Sequence, residues 1–168
     1  MIVELSKSSE NVGFDLKYDS LKDTYEHIRT VRKHGLKVLV DWLFRMDTHD
    51  ASKLDEPEKS MYDEFTPVLQ TLTYGTKEYD ATRNKMGVAL THHYQNNRHH
   101  PEFFVDGTDG MNLIDMLEML VDWKSASERM KSGTGDLRKS IEINADRFHM
   151  NEKQKLLLLN TASYLEWI

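Results

Sequence analysis

No cysteine occurs among the 168 residues. That absence excludes a disulfide scaffold, a zinc ribbon, a thiol nucleophile and a thiolate-held cluster. Any metal bound here must be held by nitrogen and oxygen. The chain has only three prolines and eight glycines, and no strong period-two run. Its apolar residues recur at helical spacing almost throughout. No stretch approaches ~18 apolar residues, and "MIVELSKSSENVGFD" lacks the apolar core of a signal peptide. These features lead us to expect a cytoplasmic protein with no membrane partner, working in the host cytoplasm if a phage encodes it. Excess basic charge is also missing, because the formal net charge is −6. An extended nucleic-acid surface is therefore not expected. Small anionic substrates are still allowed, since bound divalent cations reverse the local sign.

The length suits one domain with a full hydrophobic core. We expect an all-α, compact, single-domain helical bundle over residues 1–168, with 1–19 as an N-terminal arm. The first helix is expected over Ser20–Met46, with Leu21, Tyr25, Ile28, Leu36, Leu39, Val40 and Leu43 on its apolar side and a kink or break at Gly35. Pro57 marks the first turn of a second helix running to about Leu72, with Gly75 closing the segment. A third helix is expected over Lys77–Asn96, a fourth over Asn112–Lys131, and two more over Leu137–Phe148 and Asn151–Ile168. The apolar C-terminal run "LLLLNTASYLEWI" suits either core packing or a homo-oligomer contact.

Polar residues gather in three places. Of the eight histidines, His92, His93, His99 and His100 fall within "THHYQNNRHHPE", residues 91–102. On the fourth helix Asp115, Glu118 and Asp122 recur at i, i+3 and i+7, on a segment apolar nearly all round. Carboxylates on such a central helix must be paired or coordinate metal. His49-Asp50 stands where the first helix should end. Adjacent helical residues point about 100° apart, so both can reach one centre only at a helix end or kink.

In the order His … His-Asp … Asp, with "HDASKL" and "VDWKSA", the chain resembles the HD-domain superfamily of metal-dependent phosphohydrolases, which are all-α. Most of residues 20–150 also resemble a set of small HD-like phage and prophage proteins that carry "HD-S-K" and "HH-Y-N-N-R-HHPE" blocks. The superfamily resemblance implies that His27, His49, Asp50 and Asp122 hold a first metal. It also implies that Asp50 bridges to a second metal, which takes further ligands from His93 and one of His99 or His100. Asp115 is the reserve for the last ligand. Imidazole with carboxylate suits Mn, Fe, Co, Ni or Zn better than Ca. A metal-bound water can have its pKa lowered from 15.7 to about 7, giving a nucleophile for phosphorus.

Under that resemblance the substrate is a nucleotide or another small phosphorylated molecule. Lys53 would neutralise its phosphate, Arg98 would hold one bidentately, and Glu56 or Glu58 would orient the nucleophilic water or a ligating histidine. One branch of the superfamily, the deoxynucleotide monophosphatases, has a glutamate where Lys53 stands, so the sub-branch is open. Two other readings accompany the hydrolase. One is a mixed-valent di-iron oxygenase of related fold with the same ligand order. The other is a non-enzymatic phage accessory protein whose metals are structural. The bland readings place His34 on a helix surface, His149 near a helix C-terminus, the methionines Met111, Met116 and Met119 in the core, and Tyr94 and Trp123 in a pocket wall.

Overall fold

A computed structural model of the chain describes residues 18–129 and 136–168. The expected arm over residues 1–19 lies outside this range up to residue 17, and so does Lys131 at the expected end of the fourth helix. The described residues are helical and include no strand: α1 (Leu21–Thr48), α2 (Glu58–Leu69), α3 (Lys77–Asn84), α4 (Gly87–Asn96), α5 (Leu113–Arg129), α6 (Leu137–Arg147) and α7 (Glu152–Tyr164). Short 3-10 turns cover Ala51–Leu54, Pro101–Phe103 and Gly107–Gly110. No helix among them is long and apolar enough to cross a membrane. Packing divides the chain into two units, one ending at Val40 and the other running from Asp41 to Ile168, so the boundary falls inside α1.

The helices follow the expected periodicity with two differences. Gly35 does not end α1, which runs as one helix for 28 residues. The expected Lys77–Asn96 helix is two helices, because Gly87 sits at φ +49°, a left-handed conformation that costs glycine little. Local capping explains several starts. The Thr76 side chain accepts from the backbone N–H of Tyr79 at α3, and Asp136 accepts from Lys139 at α6. Asn151 and Gln154 form a reciprocal capping box that opens α7.

The apolar core joins α5, α6 and α7 through Met116, Met119, Leu120, Leu137, Ile141, Leu158 and Ala162. Met111, Trp123, Leu159, Trp167 and Ile168 pack around it. The methionines are therefore core, and part of the C-terminal run is too, although Leu156, Leu157 and Tyr164 are exposed. The expected apolar side of α1 is different. None of its residues is buried, and Leu21, Leu36, Val40 and Leu43 are all more than half exposed. Periodicity reveals that a helix has two sides, but not whether anything covers either of them.

Several polar residues are as buried as the core. Glu58 and Asp115 are 0% exposed, His93 1% and His99 2%. Burying that many polar groups is favourable only if they satisfy one another or a ligand.

Candidate metal centre

α1 ends at Thr48, and Asp50 takes a left-handed conformation, φ 57° and ψ 15°, as the chain enters the 3-10 turn Ala51–Leu54. Aspartate tolerates this region better than most residues. The helix has therefore ended where His49 and Asp50 must turn toward one centre. Asn97, at the end of α4, donates from Nδ2 to Ser52 Oγ (2.7 Å) and to the His93 carbonyl (2.8 Å). That pair of bonds ties the turn to the histidine tract.

Two carboxylates orient the imidazoles. Glu58 accepts from Nδ1 of His93 at 2.8 Å through one oxygen and from Nδ1 of His92 at 2.7 Å through the other. Glu118 faces Nδ1 of His49 at 2.9 Å and Nδ1 of His99 at 3.3 Å. With the Nδ1 protons held this way, the Nε2 atoms are the ones turned inward. Nε2 of His93 and of His99 each lie 3.4 Å from Asp50 Oδ1, and His93 Nε2 lies 2.8 Å from His100 Nε2. On the other side, His49 Nε2 is 3.6 Å from Asp50 Oδ2 and 3.7 Å from Asp122 Oδ1.

Two groups can hold a metal: Asp50, His93, His99 and His100, and His49, Asp50 and Asp122, with the donor atoms of each within 4.8 Å of one another. The spacing fits a cation. At a bond length of about 2.1 Å, donors 90–109° apart on one metal sit about 3.0–3.4 Å from each other. The chemistry fits as well. Asp50 Oδ1 and His99 Nε2 are buried without a hydrogen-bond partner, so acceptor faces acceptor at the middle of the first group. Asp50 contributes a different oxygen to each group, as a bridging ligand would. His49, His99 and Glu118 also lie close enough to form a third group. There Glu118 meets the Nδ1 atoms, which is the position of an orienting carboxylate rather than a ligand.

Charge differs between the two groups. Burial, followed by the positive charge of Lys53, pulls the His93 pKa down to about 4. Burial also holds His100 well below the usual imidazole value. These two histidines are neutral at pH 7 and ready to ligate. For His49, burial is the largest influence and would lower its pKa. The hydrogen bond to Glu118 and the nearby carboxylates of Asp122 and Asp50 outweigh it and raise His49 to about 10. A proton therefore occupies His49 in the metal-free site, and metal uptake there must release it. Glu118, opposed by burial but favoured by His49 and His99, is lowered to about 2, and Asp122 is likewise held below the ordinary carboxylate range.

These shifts predict how the metal-free protein responds to pH. On acidification below 6.5 the unfolded chain protonates the His93 side chain before the native state does, and below 4.5 it does the same at Glu118. Stability is therefore lost progressively toward pH 4 and then pH 2. His49 works in the opposite direction. Its contribution is complete below 6.5 and is lost as pH rises toward 10. Urea-unfolding midpoints of chelator-treated protein should peak at about pH 6.5, with His49→Gln flattening the alkaline limb and Glu118→Gln the lowest acid portion.

The remaining expected residues have varied placements. His99 and His100 both join the first group. Lys53 donates to Asp50 Oδ2 and lines the adjoining cavity. His27 is exposed on α1, in the unit that ends at Val40, and belongs to none of the three groups. Glu56 accepts from Ser60 Oγ and is exposed, so of the two candidate glutamates Glu58 is the one that orients histidines. Arg98 is already bound bidentately by Asp115 at 3.0 and 3.1 Å, and its guanidinium lies over Phe103 and Phe104. It is not a free phosphate grip. Asp115 cannot serve as the reserve ligand, because it also pairs with Arg45 and accepts the backbone N–H of Asn112.

Arg45 had no role in the sequence reading. It bridges Asp115 to Glu118 Oε2, 3.3 Å away, and so fixes the carboxylate that orients His49 and His99. The available signal was its position in the last turn of α1, four residues before His49.

A cavity of about 430 Å³ adjoins the centre, with His93, His100, Asp122 and Lys53 in its wall. Tyr94 and Trp123 line it too, as pocket-wall packing requires. No curated protein and no solved structure matches the chain. One family model does, over residues 16–168, and the chain accordingly belongs to that family, described as a family of unknown function (DUF5662).

Proposed function

We propose that the protein is a metal-dependent phosphohydrolase acting on a small phosphorylated molecule, nucleotides included, in the cytoplasm. On this reading the chain is a relative of the HD-domain phosphohydrolases. The observation that carries it is Asp50 Oδ1, a buried and unpartnered carboxylate oxygen facing two imidazole Nε2 atoms beside an open cavity. A structural metal site is closed around its ion, whereas a reactive one leaves room for water and substrate.

His93, His99, His100 and Asp50 would hold one divalent transition metal, and His49, Asp50 and Asp122 a second. A metal so held supplies Lewis acidity toward a phosphoryl oxygen and a water that ionises near neutral pH. The chain's own residues do the rest. Glu58 and Glu118 keep the histidine tautomers in place, so the ligand set costs little reorganisation. The Lys53 ammonium stands at the cavity wall, where it can offset charge on a phosphate oxygen. Tyr62, beneath that ammonium at 4.8 Å, fixes the side chain's direction.

The test is phosphate release from p-nitrophenyl phosphate and from nucleoside monophosphates by chelator-treated protein reloaded with Mn, Fe, Co, Ni or Zn. Release that needs metal, and that falls about 10²-fold or more in Lys53→Met, is the expected result. Activity confined to iron, with oxygen consumed and no phosphate released, would move the oxygenase reading ahead.

A further inference from the structure

Among the described residues, four cations line the cavity beside the metal centre, Lys53, Arg83, Arg129 and Arg147, against one carboxylate, Asp122. For a chain with net charge −6, this is a local reversal of sign, and it favours anionic ligands. Lys53 accounts for the metal end. The arginines stand elsewhere along the wall, and the proposed chemistry gives them no task.

Arg83 and Arg147 share Tyr94 as a neighbour, since both positive charges act on its hydroxyl, and the ring of Tyr94 packs 4.9 Å from that of His100. Arg83 and Arg147 each have one carboxylate partner, Asp80 at 3.3 Å and Glu102 at 2.8 Å, and neither partner lines the cavity. Arg83 Nε is buried and has no hydrogen-bond partner. A buried guanidinium N–H left unpaired is unfavourable, and an incoming anion would satisfy it. The same wall carries the aromatic side chains of Tyr62, Tyr94 and Trp123.

We propose that the cavity takes a molecule with two anionic groups, one at the metal end beside Lys53 and the other at Arg83 and Arg147, joined by a flat apolar middle that lies against the tyrosines. The inference rests on the hydrolase reading for its phosphate end only. It makes Arg83 a specificity-determining residue for the second anion, whether carboxylate or phosphate. A substrate with one phosphate and a neutral remainder leaves Arg83 unsatisfied and binds less well.

The test uses phosphonates, which are not turned over. Titration calorimetry compares phenylphosphonate with 4-phosphonobenzoate, with the longer biphenyl analogues of both, and with benzene-1,4-diphosphonate, each with and without Mn²⁺. At least one dianion should bind about ten-fold or more tightly than its singly substituted parent, the scale of one charge-assisted hydrogen bond. Arg83→Gln should abolish that gain and leave the parent's affinity within about two-fold, while Arg83→Lys restores part of it. Preference between carboxylate and second phosphonate identifies the second anion. Dianions that bind no better than their parents, or a gain that survives both Arg83→Gln and Arg147→Gln, would overturn the proposal. The metal reading is scored separately, by whether phenylphosphonate binding responds to Mn²⁺. A gain at the arginine end that is indifferent to Mn²⁺ supports this proposal even if the hydrolase reading fails.

Discussion

Asp50→Asn should purify without transition metal under conditions in which the unaltered chain carries one or two equivalents, and once both proteins are chelator-treated their melting temperatures should hardly differ. Asp50 is common to both candidate groups and directs a different oxygen into each. Removing an outer carboxylate from a metal site already costs about 10–100-fold in affinity, so losing a shared ligand should cost more than about 100-fold. Asparagine is the informative substitute because residue 50 sits at φ 57°. Asparagine tolerates that backbone nearly as well as aspartate, whereas alanine adds a conformational penalty to the chemical one. Elemental analysis of protein prepared without chelator reads the first effect, and circular dichroism melting reads the second. Full metal content in Asp50→Asn would refute the assignment of this residue as the central ligand. If neither protein takes up any metal on loading, both the hydrolase and the oxygenase readings fail.

The opposite pattern is expected at Asp115. This carboxylate is 0% exposed and pairs with Arg45, Arg98 and the Asn112 backbone N–H. Asp115→Ala leaves two guanidinium groups facing each other with their shared anion gone. Breaking a buried ion pair from one side costs about 3–5 kcal/mol. For a chain of this size that is a fall of about 6–20 °C in melting temperature. A smaller loss of metal affinity should accompany it, since Arg45 also holds Glu118, which orients His49 and His99. Measured on chelator-treated protein, the melting change is separated from any stabilisation by bound metal. A shift of less than about 2 °C, under about 1 kcal/mol on that scale, would mean that Arg45 and Arg98 find other partners and that the cluster does not hold the fold. Asp50→Asn and Asp115→Ala thus separate binding from scaffolding on two acidic residues that look alike in the sequence.

That contrast shows where reading the chain residue by residue reaches its limit. The helical class was legible because apolar spacing and the scarcity of proline and glycine are local signals. The turn of His49-Asp50 toward one centre was legible too, because a helix must end for neighbours to converge. The absence of cysteine restricts any ligands to nitrogen and oxygen, and "THHYQNNRHHPE" concentrates imidazole whatever the fold. Gly87 was harder to read. Nothing in "RNKMGVALTHHY" says that its glycine takes a positive φ and divides one helix into two.

Asp115, Glu118 and Asp122 lie on one stripe at regular spacing, yet they have three fates. The first neutralises two arginines, the second orients two histidines, and the third faces His49 across the open centre. Periodicity places them on one side of α5, but it carries no information about which groups from α1 and the histidine tract come to meet each carboxylate. Those partners lie up to 73 residues away in sequence. The same holds for Arg45 and Arg83, ordinary surface cations by spacing alone, which become a bridge and a cavity wall through what packs beside them. Residue type and local order set which chemistry the chain can perform. Long-range packing sets which residues perform it, because a carboxylate's protonation, pairing and ligation depend on the charges within a few ångströms of it.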